Sequence, residues 1–204
     1  PIGGAIVTAD KRVALTSPDG VFTIDAAAAQ GAAIGVRAVG YGRTSLQPPT
    51  QGAQSVPSLQ QSPLTVKLDP LRPKALYLSF YGIGSRQLRN AALDLIDQTE
   101  LNALVVDVKG DRGMIPYKSK VALSAEVGGQ RVITVRDMKE MIDKLHGRGV
   151  YLIGRVVVFK DDLLATARPQ WTVKGANGKP WTDREHLGWV DANFQEVWKY
   201  NIDI

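Results

Sequence analysis

Ionisable side chains collect at the ends of apolar runs in the second half of this sequence. Asp107, Lys109, Asp111 and Arg112 close the run Leu104-Val105-Val106-Asp107-Val108, and Lys160, Asp161 and Asp162 close the run from Tyr151 to Phe159. Arg155 interrupts that second run, where an unpaired guanidinium is costly to bury. Two outcomes stay open for it: pairing with a carboxylate such as Asp107, or facing a cleft. Further along, Trp171, Trp181 and Trp189 are interspersed with Gly175, Gly178 and Gly188, and Asp191 follows closely. Indole faces stack on the C–H edges of sugar rings; the alternative is that these tryptophans anchor a long loop. Carboxylates at strand ends suit metal-free acid/base chemistry of the kind that cleaves a glycosidic bond.

Other chemistries find no support. The two histidines, His146 and His186, lack metal-ligand spacing, and the absence of cysteine removes disulfides, thiolate nucleophiles and Cys-based zinc sites. No nucleophile-elbow serine, phosphate loop or dinucleotide fingerprint occurs, and Gly40-Tyr41-Gly42 and Gly82-Ile83-Gly84 read as turns. Neither a metal nor an organic cofactor is expected. The net charge of +5 is dispersed along the chain, which argues against nucleic acid while leaving an anionic glycan open. No run reaches the roughly 18 apolar residues of a membrane span. The opening Pro1-Ile2-Gly3-Gly4 is not a signal peptide.

The elements that must position these residues follow from the apolar patterning. Up to about residue 72, short runs alternate with turn residues. Ala5 to Val7, Val21 to Ile24, Ala33 to Val39 and Leu64 to Leu68 read as strands, Ser17-Pro18-Asp19-Gly20 as a turn, Ala26 to Ala29 as a loop, and Thr44 to Ser62 as a long exposed loop. This is the pattern of a small antiparallel sandwich. After Pro70-Leu71-Arg72-Pro73, strand and helix alternate. Ala75 to Phe80 is a strand, and Ser85 caps a helix through Leu88, Ala92, Leu95 and Ile96. Leu104 to Val108 is a strand buried on both faces, Val135 to His146 is a helix, and Tyr151 to Phe159 is the next buried strand. Asn193 reads as the cap of a last helix, with Phe194 and Trp198 in its core-facing stripe. Such βαβ repetition gives a parallel sheet, either doubly wound or closed into a barrel. Two domains result, 1–72 and 74–204, joined near Leu71-Arg72-Pro73.

Two family resemblances sharpen this. The opening Pro-Ile-Gly-Gly-Ala-Ile-Val, the turn and strand Asp19-Gly20-Val21-Phe22, and Val36-Arg37-Ala38-Val39-Gly40-Tyr41 resemble the carboxypeptidase regulatory-like domain, a transthyretin-like β-sandwich. That family has a further strand ahead of the Pro-Ile segment, so the resemblance implies a clipped start and a spacer or docking module. The segments Thr99 to Lys109, Tyr151 to Asp161 and Gly188 to Asn193, running on to Ile204, resemble a bacterial family of glycoside-hydrolase-like (β/α) barrels related to the α-amylase type. Ala192 stands where that family has proline. The resemblance implies the first part of a (β/α)8 TIM-type barrel, truncated at Ile204, with the nucleophile on a later strand and the 204-residue chain inactive alone.

The expected activity is glycoside hydrolysis of a polysaccharide or oligosaccharide by the full-length parent, in an extracytoplasmic bacterial location. The rival is a non-catalytic carbohydrate-binding or cell-envelope scaffold; a more distant one makes the sandwich a protein-docking module. Asp107 and Asp191 are the candidate catalytic carboxylates, with orientation and binding their leading roles. Lys109, Arg155, Lys160, Asp161 and Trp189 are candidate substrate contacts. Asp107, Arg155 and Asp191 are expected to converge in one cleft, because burying one charge without the others costs several kcal/mol.

Overall fold

Alternation of buried and half-exposed positions makes Ile6–Ala9 (β1) the centre of the first sheet. The computed structural model describes residues 1–24, 32–47 and 64–204, in two compact units, Pro1–Arg72 and Pro73–Ile204. In the first unit β1 pairs antiparallel with Arg12–Leu15 (β2) and Ile34–Arg37 (β3), and β3 pairs with Thr44–Leu46 (β4), giving the order β2-β1-β3-β4. The register sets Val7 opposite Val36 and Ala9 opposite Ile34, so these four side chains share one face and form the unit's core with Leu68. The Ser17–Gly20 turn is closed by the Gly20 N–H donating to the Ser17 carbonyl at 2.8 Å, with Gly20 at φ +80°.

Two expected strands are corrected. Val21–Ile24 and Leu64–Leu68 join no ladder; they pack Phe22, Ile24, Val66 and Leu68 onto the sheet face. They cover the sheet face with side chains and not as ladder strands, so the described residues of the first unit form one sheet and not two facing ones. Thr44–Leu46, expected in a loop, is a strand, while Ala26 to Ala29 and the rest of the long loop lie outside the described residues.

The second unit contains a parallel sheet of Ala75–Leu78 (β5), Ala103–Lys109 (β6) and Tyr151–Val156 (β7), in that order. Helix Phe80–Gly84 (α1) occupies the expected Gly-rich turn, and Arg86–Gln98 (α2) follows, its Leu88 N–H accepted by the Ser85 hydroxyl. After β6 come Ala122–Glu126 (α3) and Met138–Gly147 (α4). Helix α4 starts three residues later than its apolar spacing suggests. Asp137 caps it through the Glu140 N–H, whereas the Thr134 and Val135 N–H groups are already committed to the Pro116 carbonyl.

Leu76, Leu78, Leu104, Val106 and Leu152 face α2 and α4 and build the main core with Leu93 and Leu145. By the two-residue period of a strand, Tyr77, Asp107 and Arg155 point to the opposite face. Strand β6 is buried except at half-buried Val105 and Val108, but β7 is half-exposed and ends at Val156, short of the expected Phe159. Beyond it lie Asp162–Ala167 (α5), a 3₁₀ turn over Pro169–Trp171, and Gln195–Asp203 (α6). The N-cap position of α6 is Phe194; the Asn193 amide instead donates to Asp191.

Candidate functional site at the strand ends

Three neighbouring strands each contribute one polar side chain to the face opposite α2 and α4. The parallel register sets Tyr77 beside Val105 and Arg155 beside Asp107, so the three groups meet near the C-terminal end of the sheet. Asp107 is buried. Its Oδ1 accepts from Arg155 Nη1 at 2.8 Å, and its Oδ2 accepts from the Tyr77 hydroxyl at 2.8 Å and the Phe80 N–H at 3.0 Å. Arg155 also donates to the Tyr77 hydroxyl at 3.1 Å and lies 5.4 Å from the centre of that ring. The hydrogen bond to Asp107 raises the Arg155 pKa, and burial followed by the Asp107 carboxylate raises that of Tyr77.

Of the two outcomes left open for Arg155, the structure shows the pairing: it meets Asp107, while its side chain stays 41% exposed. Tyr77, 52% exposed, flanks it. Beside them is a cleft of about 210 Å³ lined by Tyr77, Tyr81, Asp107, Asp111 and Arg112 among others.

A second polar cluster adjoins this cleft through Asp111. Lys160 Nζ lies 3.9 Å from Asp111, 3.0 Å from Asp183 and 2.5 Å from Glu185. Asp183 also accepts from the Trp189 indole N–H at 3.1 Å and from the Glu185 and Leu187 N–H groups. Burial alone would raise the Asp183 pKa, but Lys160 and these N–H donors together hold it far below the usual carboxylate range. Trp189 bridges to Lys160 through the backbone and meets Trp181 edge-on, with ring centres 6.1 Å apart.

Lys109 and Asp161 form a different structure. Both side chains are 0% exposed, joined by a 2.6 Å ion pair, with Lys109 lying 5.1 Å from the Tyr200 ring centre. Asp161 Oδ1 caps α5 by accepting from the Leu164 N–H. Desolvation lowers the Lys109 pKa, and Asp161 offsets part of that shift. The expectation that either residue contacts substrate is corrected: this is an internal latch between the end of β6 and the start of α5.

Asp191 Oδ1 accepts from the Asn193 N–H and amide within its own turn. Of the three residues expected to converge, the described interactions join Asp107 and Arg155. Trp198, expected in the core, is 47% exposed on α6.

With this geometry in view, the comparisons decide the family. The family described as "Putative glycosyl hydrolase domain" matches residues 75–204. The chain belongs to that family. A crystal structure of a hypothetical protein from Ruminiclostridium thermocellum ATCC 27405 shares 33% sequence identity at a TM-score of 0.56, over 63% of this chain and 66% of that one. The chain thus spans just under two thirds of that relative's length. An α-galactosidase from Thermus thermophilus, solved with p-nitrophenyl α-D-galactopyranoside, overlaps 97% of this chain and 41% of its own, but at 17% identity and a TM-score of 0.42, too slight to bear on fold or activity. No curated protein matches the chain.

Within this glycosyl hydrolase domain, sequence reasoning passed over three groups that the structure brings to the site. Tyr77 was legible only through its in-register position beside β6. Asp183 lies in a hairpin whose bridges, Lys174 to Pro180 and Thr182 to Gly188, leave no apolar signal. Tyr81 belongs to α1, a one-turn helix too short to show a period.

Proposed function

We propose that the second unit is the opening part of a (β/α) barrel glycoside hydrolase, and that its strand-end cleft binds a carbohydrate through Arg155 and Tyr77. The observation that carries this reading is the Asp107–Tyr77–Arg155 cluster at the carboxyl ends of parallel strands, where α/β folds gather their ligand-binding groups, in a chain of the glycosyl hydrolase domain family. A guanidinium with N–H groups left to donate and a phenol oxygen left to accept, both partly exposed and both fixed by one buried carboxylate, offer a rigid polar surface to sugar hydroxyls. Asp107 then acts as a positioning residue. Asp111 lines the same opening, and Lys160 and Trp189 connect to it through Asp111; all three are proposed as further ligand contacts, while Asp191 is proposed to shape its turn.

One feature favours a binding role for these residues over a catalytic one. Both Asp107 oxygens already accept hydrogen bonds from protein donors, and the glycosidase mechanism needs two carboxylates free to act on either side of the bond. The second reading is therefore a carbohydrate-binding module without turnover. Extracytoplasmic location is proposed for either reading, as the compartment where polysaccharides are met.

The test is to measure oligosaccharide binding and reducing-end release by the 204-residue chain and by Arg155→Ala. Binding lost in the variant supports the cleft. Binding that is unchanged in Arg155→Ala removes it, and turnover abolished by Asp107→Asn would make Asp107 catalytic instead.

A further inference from the structure

We infer that Trp181 is a second sugar-stacking platform beside the Arg155 cleft, so that the ligand is a chain of several neutral pyranose units and not a single sugar. The inference rests on the carbohydrate reading above. A solvent-facing indole on a loop is ordinarily mobile, but this one is braced. The Trp181 backbone N–H donates to the Val173 carbonyl at 2.9 Å, and the Val173 backbone N–H donates to the Trp189 carbonyl at 3.0 Å, so its backbone sits in a closed hairpin. Its ring packs edge-on against Trp189 at an interplanar angle of 66°. Trp189 is itself locked, because its indole N–H is held by Asp183 and its backbone is bridged to Lys160. The result is an indole that stays 43% exposed with its orientation fixed by neighbours.

An exposed apolar ring held rigidly in this way loses no rotamer freedom when a second flat surface covers it. The C–H face of a pyranose fits that requirement. The platform also connects to the cleft: Asp183 meets Lys160, Lys160 approaches Asp111, and Asp111 lines the cleft with Tyr77 and Asp107. A ligand stacked on Trp181 and donating to Arg155's neighbours must therefore extend over more than one sugar. Around Lys160, three carboxylates (Asp111, Asp183, Glu185) meet one ammonium. That balance favours neutral sugars, whose hydroxyls donate to carboxylates, over uronic acids, which add like charge.

The experiment uses isothermal titration of the full 204-residue chain with cellohexaose, mannohexaose, xylohexaose and hexagalacturonate, and with glucose and mannose as single units. Wild type, Trp181→Ala, Trp181→Phe and Arg155→Ala are compared. The expected result is that a neutral hexasaccharide binds, that Trp181→Ala weakens it about tenfold, that Trp181→Phe keeps it within roughly threefold, and that single sugars are indifferent to Trp181. Acrylamide quenching of wild-type indole fluorescence should fall when that hexasaccharide is added, a readout independent of variant folding. If Arg155→Ala abolishes binding while Trp181→Ala leaves it unchanged, the platform is wrong and the cleft stands. If no glycan binds wild type, both readings fail. Tighter binding of hexagalacturonate than of every neutral chain would overturn the assignment to neutral sugars.

Discussion

Removing Asp161 tests the internal latch most severely. Asp161→Ala strands the Lys109 ammonium at a fully buried position and deletes the cap of α5 in one step. Breaking a buried pair by removing one partner costs about 3–5 kcal/mol. An independent bound comes from letting Lys109 lose its proton: from a reference pKa of about 10.4, deprotonation at pH 7 costs roughly 4.6 kcal/mol. Loss of the cap adds about 1 kcal/mol, for a total near 5 kcal/mol, comparable with the whole stability of a marginal domain at about 5–15 kcal/mol.

The pH dependence follows from the same bound. In the variant the folded-state pKa of Lys109 is driven further down, so the unfolded chain binds more protons and stability rises with pH up to the unfolded pKa. The penalty should shrink by about 2.7 kcal/mol between pH 7 and pH 9. Urea unfolding followed by tryptophan fluorescence measures this cleanly, because all four tryptophans lie in the second unit. Lys109→Met combined with Asp161→Asn removes both charges and keeps a good capping side chain, so it should recover most of the loss. A cost for Asp161→Ala below about 1 kcal/mol, set against the 3–5 expected, or a double variant no better than the single, would refute the latch.

Other consequences are open to direct measurement. Gly113 has φ +83°, and an added Cβ would lie 2.0 Å from Asp161 Oδ1, so Gly113→Ala should destabilise by about 3 kcal/mol or more in the same urea assay. The Tyr200 hydroxyl is buried without a partner among the described residues, so Tyr200→Phe should be neutral or stabilising by about 1 kcal/mol. Burial also raises the Tyr200 pKa well above 10, so its contribution is fully present below pH 10 and lost above it; the variant should lose less stability on going from pH 9 to pH 11. Arg155→Ala should cost only about 1–2 kcal/mol, since Asp107 keeps Tyr77 and the Phe80 N–H and the guanidinium is partly solvated; Arg155→Lys should regain stability without regaining glycan affinity.

Sequence patterning was most informative where burial is continuous or periodic. Strand β6 announces itself through Leu104 to Val108, and α2 through the Ser85 cap and its apolar spacing, because both bury residues in a regular geometric order. The same logic misled at Val21–Ile24 and Leu64–Leu68, where apolar side chains pack on the sheet face but the backbone joins no ladder. Lys109 and Asp161 were placed at a ligand site because charged residues at strand ends usually face solvent. Only the tertiary packing reveals that Tyr200, some 90 residues away, closes over Lys109. The polarity of the strand ends was legible; its division between a surface cluster and a buried latch was not, since sequence separation does not encode which charges meet.

The central claim, that a carbohydrate binds at the Tyr77–Asp107–Arg155 strand-end cleft, is tested most directly by amide chemical-shift mapping of the 204-residue chain titrated with the neutral hexasaccharides. The account predicts shifts concentrated on the backbone of Tyr77, Phe80, Asp111, Arg155 and the Trp181–Trp189 hairpin. Shifts confined to the first unit or to the cavity of about 630 Å³ that Arg89, Leu93, Met141 and Leu145 line between α2 and α4, or none with any hexasaccharide, would contradict it.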